Sequence, residues 1–269
     1  MTQANKQPAI TTIGSKERLN QVLAGDYQLS VGAALKSALQ LTVKSLNPLL
    51  PAAMVLFAIA MVIVLVAETQ FGPLLTEEQE YTDTFYYLTW TLKIILAPLF
   101  GGLVWMGLKL ASGQRARIGD VFAAMPRAVP LMLYVAITST LSITLGSLLQ
   151  GLPVAAIILD QMISVLFVAT VPLLLLFPIS VLNGLYYSVL IVKQQFFKFA
   201  LLYIVVLIAM GFGLVTFGAG FLFIGPFIFV LYGVVYSHLF GLMKLEPRSN
   251  GENDNKHDDK NKSDDDWSA

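Results

Sequence analysis

The chain contains no cysteine. Disulfides, thiolate metal sites and a cysteine nucleophile are therefore excluded. Histidine is nearly absent too, with only His238 and His257. His238 has no second histidine or carboxylate beside it in sequence, so it does not make a metal site. His257 sits among aspartates and reads as part of a solvated charge run. Charged residues make up 13% of the chain, against about 25% in soluble domains. Formal net charge is zero, so no imbalance points to nucleic acid as a partner. HExxH, GxSxG and a glycine-rich phosphate loop are all missing. No catalytic residue, cofactor or metal is expected, and the sequence reads as a non-enzyme.

What is abundant is apolar sequence, 56% of 269 residues. It is gathered into long runs, and a run of about 20 apolar residues suffices to cross the hydrocarbon of a bilayer. Six spans are expected, at about 49–67, 88–110, 129–149, 163–190, 196–215 and 221–239. The fourth lies within an apolar stretch, 152–192, that is too long for one straight span. Helices are expected because lipid leaves backbone groups unsatisfied and the runs lack the alternation of barrel strands. The first 30 residues are polar and hold no apolar core of a signal peptide. The first span is thus expected to act as its own insertion signal.

Lysine and arginine set the orientation. Six spans place Lys6, Lys16, Arg18, Lys36, Lys44, Lys109, Arg115, Arg117, Arg127, Lys193, Lys198, Lys244, Arg248, Lys256, Lys260 and Lys262 on one side. The other side carries Glu68, Glu77, Glu78, Glu80 and Asp83. Both termini are therefore expected in the cytoplasm of a bacterium, with the protein in the inner membrane. Lys93 is the remaining basic residue. Tyr86, Tyr87 and Trp90 mark an aromatic belt where the second span enters, and Lys93, one turn deeper, leans back toward the headgroups.

Before the first span, LSVGAALKSALQLTVKSL offers Ser30 as an N-cap. Val31, Ala34, Leu35, Ala38 and Leu39 form an apolar face, while Lys36, Gln40 and Lys44 form a polar stripe. This pattern predicts a short interfacial helix on the cytoplasmic leaflet. Short cytoplasmic segments also lead into the third and fifth spans, and each return span carries a proline, Pro98, Pro178 or Pro226. The pattern suggests three units of interfacial helix plus hairpin, although any bundle of membrane hairpins looks repetitive. The organisation expected is a polar cytoplasmic segment at 1–28, a membrane domain at 29–241 and a disordered cytoplasmic tail at 242–269.

The stretch APLFGGLVWMGLKLASGQRARIGDVFAA holds a proline, paired glycines, a further glycine, a Gly-polar-basic turn and a short Asp-Val-Phe helix. It resembles bacterial six-span membrane families of unknown function, including the YciC-like group, and is similar to the membrane domain of some glycerophosphodiester phosphodiesterases. The closing GPFIFVLYGVVYSHLFG is similar to the end of those families. The resemblance implies an all-α, six-span fold over roughly 29–241. It implies no activity, because the soluble phosphodiesterase domain is absent and these families offer no agreed catalytic residues.

Few residues are candidates for chemistry. Asp160 lies in an apolar run, where an ionisable group is costly and often functional. Lys93 and Asp160 both fall toward the same side, and they form a candidate intramembrane pair. The alternative is that each reaches the headgroups separately. Pro98, Pro172, Pro178 and Pro226 are candidate helix kinks. Ser139, Thr140, Ser142, Thr144 and Ser147 can bond across helices or to their own backbone. Gly211, Gly213, Gly218, Gly220 and Gly225 fit close packing of the last hairpin or a tight turn.

The function expected is a non-catalytic, lipid- or protein-binding membrane component, with membrane lipids, a protein partner or a second copy of the chain as partners. The alternative is a transporter or channel for a small or amphipathic solute, which a polar cavity reaching Asp160 would favour. A membrane enzyme acting on lipid would need polar residues converging near one interface.

Overall fold

The computed structural model describes residues 15–25, 27, 29–72, 83–149, 151–216 and 220–240. The tail, the acidic stretch with Glu77, Glu78 and Glu80, Gly218, and the side chains of Tyr86 and Tyr87 lie outside the described residues. No strand occurs among the described residues. In chain order the helices are α1 (Ser15–Ala24), α2 (Val31–Lys44), α3 (Leu46–Phe71) and α4 (Asp83–Ala111). Two 3₁₀ turns follow, Ile118–Phe122 and Met125–Arg127. Then come α5 (Ala128–Leu148), α6 (Pro153–Leu166), α7 (Thr170–Leu176), α8 (Val181–Gln194), α9 (Phe196–Val215) and α10 (Phe221–Phe240).

Six segments are long and apolar enough to cross a membrane, and the chain is a multi-pass membrane protein. Four of them lie close to the apolar runs. The third begins earlier, at Ile118, taking in the 3₁₀ turns before α5, and the fourth is Val154–Leu176, whereas 163–190 would run from α6 into α8. Pro178 and the Ser180 N-cap, whose hydroxyl accepts from the Asn183 N–H at 3.3 Å, end one element and start α8. The run is apolar throughout, so hydropathy could not see that punctuation.

Two spans form the centre. Of the apolar window of α4, 67% is buried, and of α10, 44%, whereas no other span exceeds 22%. On α3, Phe57, Val62, Leu65 and Val66 are exposed, as a lipid-facing surface requires. The central pair can approach closely because Gly107 on α4 faces Gly233 on α10. A Cβ on Gly233 would overlap the Gly107 carbonyl, and one on Gly107 would overlap the carbonyl oxygen of Phe229. Small residues let backbones meet in just this way.

The paired glycines of α4 have their own partners. A Cβ on Gly102 would overlap the backbone of Val121, and one on Gly101 would press on Leu131 and Ala124. The first 3₁₀ turn therefore lies directly on α4. Past α4 the chain reverses at Gly113, φ 75°, where the Gln114 N–H reaches the Lys109 carbonyl and the Gly113 N–H reaches that of Leu110. This is a Schellman stop. It presents Lys109 to Asp120, 2.7 Å away, and Asp120 also accepts from the Arg117 N–H at 2.8 Å.

The N-terminal segment is more involved than its polarity suggests. The described part of this segment packs on the membrane domain: α1 buries Leu19 and Val22, and Tyr27 and Leu29 are buried behind it. Their spacing is helical, but polar neighbours hide it. The Tyr27 hydroxyl donates to the Ile191 carbonyl at 2.6 Å, and burial pushes its pKa up to about 12. Gln195 donates to the Tyr27 carbonyl and accepts from the Leu29 N–H, and Gln194 donates to the Leu23 carbonyl at 2.6 Å. In α2 the buried stripe is Ala34, Ala38 and Thr42, with Lys36, Gln40 and Lys44 exposed. Leu39 and Val43 point outward. Ser30 occupies the N-cap position, but its side chain makes no cap bond. Short helical segments thus precede α3, α5 and α9.

Candidate functional site

The fourth span is interrupted at residues 167–169, between α6 and α7. A broken membrane helix must have its freed backbone groups satisfied. Ser188, on α8, does this: its hydroxyl donates to the Leu166 carbonyl at 2.7 Å and accepts from the Ala169 N–H at 3.1 Å. The Tyr134 hydroxyl, from α5, donates to the Phe167 carbonyl at 3.3 Å. Pro172 falls in the first turn of α7, where its missing N–H costs nothing. Pro178 lies in the connection to α8, while Pro98 and Pro226 are inside α4 and α10.

The break borders a cavity of about 1190 Å³ enclosed by α4, α5, α6, α7, α9 and α10. It runs along α4 from Phe85 to Val104, about 28 Å at the helical rise, against a hydrocarbon thickness of about 30 Å. It is open rather than sealed, since Trp90, Lys93, Phe100 and Ile143 on its wall are all exposed. Its two ends differ in chemistry. Phe100, Val104, Leu131, Val135, Val168 and Val171 line one part; Lys93, Asp160, Ser139, Ser142 and Thr89 line the other.

Lys93 and Asp160 therefore share one cavity. They reach it from different helices, Lys93 from α4 and Asp160 from α6. They do not touch: the ion pair among the described residues is Lys109–Asp120. Asp160 is held instead by Gln161, whose Nε2 donates to Oδ2 at 3.3 Å. Gln161 in turn accepts from the Tyr203 hydroxyl on α9 at 2.9 Å.

The other candidates are dispersed. Thr140 and Thr144 donate to backbone carbonyls one turn earlier, and Ser147 to the carbonyl of Thr144. His238 bonds the Val234 carbonyl of its own helix through Nδ1 at 2.7 Å. Gly213 meets the ring of Phe221, and Gly220 approaches Gly213, so these two serve close packing. Gly211 and Gly225 face open space. Among the described residues no three His, Cys, Asp or Glu side chains gather as a metal site would need.

Sequence reasoning missed Tyr203, Gln161 and Ser188, polar residues inside apolar helices whose partners lie on other spans. It also missed the Lys109–Asp120 pair, although the Gly-polar-basic turn between them was visible. No protein-family model matches the chain, and no curated protein and no solved structure matches it.

Proposed function

We propose that the protein is a non-catalytic membrane component that holds an amphipathic molecule, a membrane lipid, between its spans. The cavity carries this reading. At about 1190 Å³ it exceeds the roughly 300–1,000 Å³ of ordinary small-molecule sites. It is elongated along the spans, apolar over most of its wall, and carries the two charged side chains Lys93 and Asp160, like an amphipathic site for a lipid. The segregation of lysine and arginine supports a bacterial inner membrane with both termini in the cytoplasm. The Ala97–Ala124 stretch supports kinship with the YciC-like six-span families.

Extraction into native-lipid nanodiscs, then mass spectrometry of the intact particle after activation, tests the reading. One lipid retained per chain is the expected result, and it should be lost when Val135→Trp fills the cavity. A chain that retains no lipid or other amphipath would sink the reading, and a stoichiometric protein partner in its place would move it to assembly. The broken span bordering the cavity favours a second reading, transport of an amphipathic solute. Net flux into sealed proteoliposomes would distinguish it from simple binding.

A further inference from the structure

We infer that the cavity selects a zwitterionic phospholipid with a primary amine in its headgroup, phosphatidylethanolamine chemistry; this rests on the lipid-binding reading above. The reasoning begins with cost. A charge within a span is unfavourable, most of all at the helix centre. Lys93 and Asp160 could cancel one another's cost by pairing, yet they line the same cavity without forming an ion pair. Their opposite charges are left for a ligand that carries both signs. A phosphate diester would sit against the Lys93 ammonium, and an ammonium with N–H donors against the Asp160 carboxylate.

The acid is prepared for that role. Tyr203 fixes Gln161, and Gln161 holds Oδ2 of Asp160, so a neutral donor orients the carboxylate without neutralising it. An anionic headgroup such as phosphatidylglycerol would satisfy Lys93 and leave Asp160 facing another negative charge. A trimethylated amine would bring charge but no N–H donor. The length below the charges also fits. From Lys93 to Val104 the wall of α4 runs eleven residues, about 16 Å, close to half of a hydrocarbon core of about 30 Å. Phe100, Leu131 and Val135 line that length, which suits an acyl chain. Because both side chains lean toward the N-termini of their helices, the headgroup would lie at the same end of both spans.

The test is native mass spectrometry of delipidated full-length protein titrated with phosphatidylethanolamine, phosphatidylcholine and phosphatidylglycerol of identical acyl chains. The wild type should prefer phosphatidylethanolamine by roughly tenfold over each of the others, the scale of one charge-assisted hydrogen bond. Asp160→Asn should bring the ethanolamine-to-glycerol ratio close to one while lipid still binds. Lys93→Met should weaken all three. Equal affinity for the three headgroups, or preference for phosphatidylglycerol, would overturn the selectivity and leave lipid binding standing. Binding of none would overturn both. If Asp160→Asn does not fold, the wild-type headgroup series decides alone, and Tyr203→Phe should reduce the preference without abolishing binding.

Discussion

Gly107 on α4 and Gly233 on α10 meet backbone to backbone at the centre of the bundle. A side chain on either would need the space of the other helix's peptide, which cannot yield as a flexible side chain can. Gly233→Ala is expected to lower stability by about 3 kcal/mol or more, the upper end of overpacking costs. Gly211→Ala, on α9 with open space around its Cβ position, should be neutral or gain about 0.5–1 kcal/mol from helix entropy. Thermal unfolding of both variants in the same detergent checks the contrast.

The Lys109–Asp120 pair joins the end of α4 to the turn that lies on it, with side chains 12% and 6% exposed. Removing one partner of such a pair leaves an uncompensated charge, at about 3–5 kcal/mol. Asp120→Asn should therefore be markedly destabilising. Lys109→Met combined with Asp120→Leu should recover part of the loss, though not the bond from the Arg117 N–H. Chemical denaturation of the three proteins provides the comparison.

Ser188→Ala should cost about 1–3 kcal/mol, because it strands the Ala169 N–H and the Leu166 carbonyl inside the fold. The loss should appear as faster hydrogen exchange across 166–170 and not at the α4–α10 crossing. Uniform exchange in both places would remove the local role assigned to Ser188.

Tyr27 gives a pH dependence. Its folded pKa is raised from 10 to about 12, so the folded state holds the phenolic proton more tightly than the unfolded chain. Its contribution is present in full below pH 10 and is lost as pH rises from 10 through 12. The stability gap between wild type and Tyr27→Phe should accordingly close over that window. A gap constant from pH 8 to 12 would contradict it.

The orientation has its own readout. Alkaline-phosphatase fusions after Glu80 and near Gly151 should be active, and fusions after Arg117 and Leu245 inactive. The reverse pattern would refute a cytoplasmic location for both termini.

The spans were legible because lipid demands long apolar runs, and four of the six lie close to the limits that hydropathy sets. The fourth shifted because its end is written by Pro178 and Ser180, not by a change in polarity. Lys93 and Asp160 stood out as charges in apolar sequence. That they share a cavity could not be read, because it depends on how α4, α5 and α6 are arranged. The glycines of α4 were visible as a pattern, but each does its work against a residue far along the chain: Gly102 on Val121, Gly107 on Gly233. Leu19 and Val22 were hidden because a ten-residue helix among polar residues carries too few apolar positions to reveal a buried face.

The clasp between Tyr27 and Ile191 spans 164 residues, and α2 packs against α10, the last described helix. During synthesis the N-terminal helices emerge first, yet their binding surfaces arrive almost last. Part of the surface that α1 uses arrives with α8, and most of what α2 packs against arrives with α10. Helices made early are thus closed over by helices made late, and a chain truncated before α10 would leave α2 without its main partner.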